Sequence, residues 1–186
     1  MTVVTAGTPS QTAGPFFRLG TDPLLKTDLT GPGISGDVIS IEGRVLDGAG
    51  EPVPDALVET WQADAAGHFP TASGASGGFR GFARLPTDER GRFRLRTVRP
   101  GRVPGPGGGL QAAHLAVTIF MRGLLKHLVT RVYFGGDPAL DSDPILKSVD
   151  RARRGTLIAA SLPSTPGAFV WDVHLQGPAE TVFFDI

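Results

Sequence analysis

The sequence predicts an all-β protein built as a single-domain β-sandwich. Three observations lead there. About eight short apolar runs, most with period-2 alternation, follow one another along the 186 residues. Turn residues separate them at intervals of about 8 to 12 positions. The 26 glycines and 16 prolines lie between the runs rather than in one tract, which suits many turns and argues against disorder.

Residues 1–37 read as an extended N-terminal arm, with Pro9, Gly14, Pro15, Pro23, Pro32, Gly33 and Gly36 and little periodicity. Pro15, Phe16 and Phe17 would be costly to leave in water, so the arm is expected to pack on the domain or on a partner. The sandwich then occupies residues 38–186.

Its first strand is VISIEGRVLD from Val38, followed by the turn Asp47–Asp55 and the alternating ALVETWQA from Ala56. Asp64–Gly78 reads as a loop. GFRGFARL and RFRLRTV read as two further strands, the turn Thr87–Gly91 between them ending in glycine as a hairpin turn often does, and Arg92, Arg94 and Arg96 alternate with Phe93, Leu95 and Thr97, as in a strand with one wet face. Arg99–Gly109 is a second loop, whose glycines lack the following helix and GK[ST] signature of a phosphate cradle.

His114–Met121 and Leu128–Phe134 are two apolar strands hinged at Arg122 and Gly123, a hairpin that belongs at the centre of a sheet. Gly135–Gly155 is expected to be a short helical connection interrupted by Pro138 and Pro144. TLIAA and AFVWDVHLQG supply the last two strands, and ETVFFDI closes the sequence.

Composition excludes several functions. Eighteen basic residues balance 18 acidic ones, so no net field draws nucleic acid or an anionic membrane surface. There is no cysteine, which removes disulfides, thiolate metal sites and thiol nucleophiles. No apolar run approaches 18 residues and the N-terminus lacks a basic, then apolar, leader, so the expected location is the cytoplasm. His114 is the one polar side chain that the hairpin pattern places inside. Taken alone it reads as a core histidine bonded to backbone.

Four stretches change that reading: DGAGEPVPDALVETWQADAAGHF (Asp47–Phe69), TDERGRFRLRTVRPGRVPG (Thr87–Gly105), AAHLAVTIF (Ala112–Phe120) and VTRVYFGGDP (Val129–Pro138). In order and spacing they resemble the intradiol ring-cleavage dioxygenases, whose domain is a transthyretin-like sandwich. With TPSQTAGPFF near the start and ETVFFDI at the end, the resemblance is to the α-type chains of the α/β members. Catalytic chains of the family hold ferric iron with two tyrosinates and two histidines, the histidines two apart on one strand, a set whose phenolate oxygens stabilise Fe(III).

The matching positions here are Phe69, Val103, His114 and Ala116, so three of the four ligands are missing. Tyr133 is the only tyrosine and lies on the second hairpin strand. Two supporting positions also depart from the family pattern: Gln111 stands where an arginine is expected and Arg131 where a glutamine is expected. The resemblance therefore implies no catalytic residue and no metal ligand in this chain, with Fe(III) bound by a partner β chain. It further implies that Thr12, Gly14, Pro15 and Arg122 line the partner's pocket for a carboxylated catechol, and that the chain works only inside a higher α/β oligomer. His68, His127 and His174 fall outside the motif. The rival reading is a β-sandwich binding or scaffold domain with no enzyme partner.

Overall fold

Inward-pointing Ile39, Ile41 and Val45 alternate with outward Ser40, Glu42 and Arg44, and this stretch forms strand β1 (Val38–Leu46) in the computed structural model, which describes residues 9–70 and 78–185. The start of the arm and most of the loop 70–78 lie outside the described residues. The next strands are β2 (Leu57–Trp61), β3 (Phe82–Pro86), β4 (Arg92–Val98), β5 (Val103–Pro104), β6 (Leu110–Gln111), β7 (His114–Phe120) and β8 (Leu128–Phe134). They are followed by β9 (Ile158–Ser161), β10 (Ala168–Val170) and β11 (Val173–His174).

Hydrogen bonding runs β3–β2–β7–β8–β9–β10–β1, with β4 and β11 also on β1. β9 joins the two halves: Ile158 and Ala159 pair with β8, while Ala160 and Ser161 pair with β10. The halves close over one core in which Val58, Leu85, Leu115, Val117 and Ile119 of one layer share a cluster with Ile39, Ile41, Phe93 and Leu95 of the other. The β-sandwich is thus the observed fold, and the β7–β8 hairpin is central as expected.

Three local expectations are corrected. The arm is extended over only part of its length, because Pro15–Thr21 forms helix α1 and Asp22–Leu24 a 3-10 turn. Proline at the first helical position gives up an N–H that would have no partner there anyway, and Thr21 returns a hydroxyl bond to the Phe17 carbonyl (3.0 Å). Farther along, the arm is held by bridges of Lys26 to Arg84 and Asp28 to Arg96, and Leu29 enters the core. Second, the loop after β4 is not wholly irregular, since β5 and β6 pair Val103 with Gln111.

Third, the expected strand from Ala168 breaks into β10 and β11. Asp172 Oδ1 accepts the Arg44 backbone N–H (2.9 Å), taking a place that a ladder carbonyl would fill, so the ladder with β1 is interrupted there while its register is kept. Gly43 permits the close approach of the chain at this break: a Cβ on it would come within 1.8 Å of the Trp171 carbonyl oxygen.

The helical connection is present as a 3-10 segment (Pro138–Ser142), helix α2 (Pro144–Ser148) and a 3-10 segment (Arg154–Leu157). It lies over the outer face of β8, burying Tyr133 in a second cluster with Ala112, Leu146, Val149 and Leu157. Among the described residues no helix is long and apolar enough to cross a membrane.

Candidate functional site

Strand alternation sends Leu115, Val117 and Ile119 of β7 into the core, so His114, Ala116 and Thr118 share the opposite face. Register then sets their neighbours. Trp61 on β2 and Arg131 on β8 both stand directly across from Ala116, and Tyr133 stands across from His114.

The four positions matched to metal ligands cannot hold Fe(III). Phe69 lies flat against Trp61, the rings 6.2 Å apart and nearly parallel at 6°. Val103 is buried and, like Ala116, carries no donor atom. His114 Nδ1 is 2.8 Å from the Ala112 carbonyl, the backbone bond expected of a core histidine, and its Nε2 lies 3.4 Å from Arg131 Nη1. Arg131 Nη1 also donates to Gln111 Oε1 (2.6 Å), so the two departures from the family pattern contact each other. Among the described residues no group of three His, Cys, Asp or Glu could hold a metal ion.

Below this face Asp143, fully buried, accepts three bonds: from Ala112 N (2.7 Å), from Leu146 N at the start of α2 (2.7 Å) and from the Tyr133 hydroxyl (3.1 Å). Burial, with the Asp143 charge adding to it, pushes the Tyr133 phenol well above its ordinary value, so it stays a neutral donor. Burial also holds the His114 imidazole below its ordinary value; the Ala112 bond opposes this, the Arg131 charge adds to it and the Asp143 charge opposes it.

The other expected site residues sit at the far end of the hairpin. Thr12 Oγ1 accepts the Gly123 backbone N–H (2.7 Å), which fastens the arm to the hairpin turn. Gly14 and Arg122 line one cleft of about 400 Å³ together with Phe17, Asp22, Asp55 and Met121. Arg122 Nε is ion-paired with Asp55. Gly14 and Phe17 also line an adjoining cleft of about 650 Å³, which holds Thr12, Phe120 and His127. Thr12 and Arg122 therefore face neighbouring clefts, linked through Gly14 and through the Gly123 bond. Pro15 opens helix α1; only its backbone is described. Asp55 had no short-range signal marking it as the partner of Arg122.

A larger cleft of about 710 Å³ lies over the outer face of β1 and β4. Each of its arginines, Arg44, Arg92, Arg94 and Arg96, is already matched with a carboxylate, and it holds none of the residues above.

A family model described as dioxygenase matches residues 14–177. The chain belongs to the intradiol ring-cleavage dioxygenase family. It is 42% identical over 195 residues to the protocatechuate 3,4-dioxygenase alpha chain of Burkholderia cepacia, covering 96% of this chain and 97% of that one. The beta chain from the same organism is 36% identical over 154 residues, covering 76% of this chain and 66% of its own length. Among solved structures, the dioxygenase domain of a dioxygenase carbohydrate-binding protein fusion from Streptomyces sp. SirexAA-E superposes with a TM-score of 0.65 at 27% identity, over 95% of this chain and all of that one. Intradiol dioxygenases use iron, and this member's own ligand positions do not fit the ion.

Proposed function

We propose that this chain is the α subunit of a protocatechuate 3,4-dioxygenase. In this reading Fe(III) is bound by the β chain and not by this one, and the two form a higher α/β oligomer. One observation carries the proposal: the chain aligns end to end with a protocatechuate 3,4-dioxygenase alpha chain while the four ligand positions of its own fold hold a stacked phenylalanine, a valine, an alanine and a histidine faced by a guanidinium.

The contribution of this chain is then to complete the β subunit's pocket. Arg122, at a hairpin turn and mostly exposed, presents a guanidinium that binds and orients the carboxylate of a carboxylated catechol. Gly14 has open space where a side chain would begin, with no atom within 4 Å, and this lets the arm backbone approach a flat ring. Thr12 fixes the arm to the turn that bears Arg122, and Pro15 starts the helix behind it. The assembled enzyme uses O2 to open the protocatechuate ring between its two oxygenated carbons, giving 3-carboxy-cis,cis-muconate.

Exposed Leu19 and Leu125 line these clefts and exposed Phe16 lies next to Phe17, which lines both, with Phe16 81% and Leu125 65% accessible. An apolar surface of this kind at the mouth of a pocket suits burial against a partner. Family membership favours this reading over a partnerless scaffold. Co-expression with the β chain tests it: the two co-purify and the complex cleaves protocatechuate, whereas ring cleavage by this chain alone would refute the assignment.

A further inference from the structure

We propose that the Arg131 guanidinium is a resident cation that closes the His114 face of the sheet to metal ions. It stands at the centre of the four degenerate positions. Ala116 is directly across the β7–β8 ladder from it. His114, two residues along the same face, turns Nε2 toward it at 3.4 Å. Phe69 rests on Trp61, which flanks Ala116 on the other side. Val103 pairs in register with Gln111, whose Oε1 accepts from Arg131 at 2.6 Å.

The orientation of each group is set by a further bond. The Gln111 Nε2 donates to the Pro104 carbonyl (2.9 Å), which leaves Oε1 pointing at Arg131. With Nδ1–H donated to Ala112, the lone pair of His114 is on Nε2, the nitrogen that would bind a metal and the one that faces the guanidinium. Asp143, the nearby carboxylate, is spent on Ala112 N, Leu146 N and the Tyr133 hydroxyl. Among the described residues no carboxylate lies within ion-pair distance of Arg131, and its charge, opposed only from farther off by that of Asp143, acts directly on His114. A metal ion arriving here would find the donor lone pair occupied and a positive charge a few ångström away, in surroundings half removed from water where screening is weak. Missing ligands are thus only part of what disfavours a metal on this face.

The test uses the full chain and an added histidine. Because residues 114 and 116 share a face, Ala116→His places two imidazoles side by side, a minimal site for Zn2+. Three variants are titrated with Zn2+ by calorimetry, with circular dichroism confirming the fold: Ala116→His, Ala116→His with Arg131→Gln, and Ala116→His with Arg131→Lys. The Gln variant is expected to bind one Zn2+ at least tenfold more tightly than the other two, since lysine retains the charge. Equal binding with Arg131 in place, or no binding by the folded Gln variant, would overturn the proposal. Should a histidine at 116 unfold the sheet, a second measurement needs no new ligand. Cu2+ is expected to broaden the His114 ring resonances of Arg131→Gln and leave those of the unaltered chain sharp; the same result in both proteins would overturn the proposal.

Discussion

Arg122 and Asp55 form an ion pair across 67 residues of sequence, and the pair lines the cleft that also holds Gly14. If Arg122 positions a substrate carboxylate in the assembled enzyme, Arg122→Ala is expected to lower kcat/KM for protocatechuate by about 1.5 to 3 kcal/mol. Plain catechol, which has no carboxylate, is expected to be nearly unaffected. An equal loss for both substrates would mean that Arg122 acts on structure rather than on recognition.

In the proposed pocket Asp55 would compete with the substrate carboxylate for the same guanidinium. Its replacement by asparagine removes that competition while keeping a hydrogen-bond acceptor. Partly exposed pairs of this kind are worth about 0.2 to 1 kcal/mol, so the KM of Asp55→Asn for protocatechuate is expected to fall by roughly 1.4- to 5-fold. Steady-state kinetics at two ionic strengths check this, because the difference from the unaltered enzyme is expected to shrink as salt screens the pair. A rise in KM would show that Asp55 instead holds Arg122 in its working position.

Asp143 ties the segment entering β7 to β8 and α2 through three bonds, from Ala112 N, the Tyr133 hydroxyl and Leu146 N. Asp143→Ala leaves two backbone N–H groups and the Tyr133 hydroxyl without an acceptor, and a loss of about 3 to 5 kcal/mol in unfolding free energy is expected. Tyr133→Phe removes one donor and keeps the ring, at a cost of about 1 kcal/mol. Urea denaturation of the two variants separates these outcomes; similar small losses would mean that water replaces the carboxylate.

Stability is expected to decline on both sides of neutral pH for identifiable reasons. The fold holds His114 below its ordinary value of 6.5, chiefly by burial, so the unfolded chain takes up that proton first. The stability contributed is present above about pH 6.5 and is lost as the pH falls below it. Tyr133 is held above its ordinary value of 10.0, again chiefly by burial, so its contribution is present below that pH and is lost as the pH rises past it. His114→Gln is expected to flatten the acid limb of a plot of urea midpoint against pH, and Tyr133→Phe the alkaline limb. Unchanged limbs would assign the dependence to other groups.

Much of this architecture is legible in the sequence because strand alternation is local. Ile39, Ile41 and Val45, or Phe93 and Leu95 among arginines, declare a half-buried strand within a few residues, and the empty ligand positions can be read off Phe69, Val103 and Ala116 directly. What the sequence hides depends on pairs far apart. Asp172 breaks its strand only because Arg44 offers it a backbone N–H, 128 residues away. Helix α1 escapes notice because seven residues opening on proline carry too little periodicity to stand out in a proline-rich arm. Arg131 is visible as a departure from the family pattern, but its contacts with Gln111 and His114 come from register, which alternation alone does not specify.

The iron content of the purified α/β complex, compared with that of this chain expressed by itself, tests the central claim most directly. The account predicts one iron per α/β pair and none above background in the isolated chain. Two irons per pair, or a stoichiometric ferric ion in this chain alone, would contradict it.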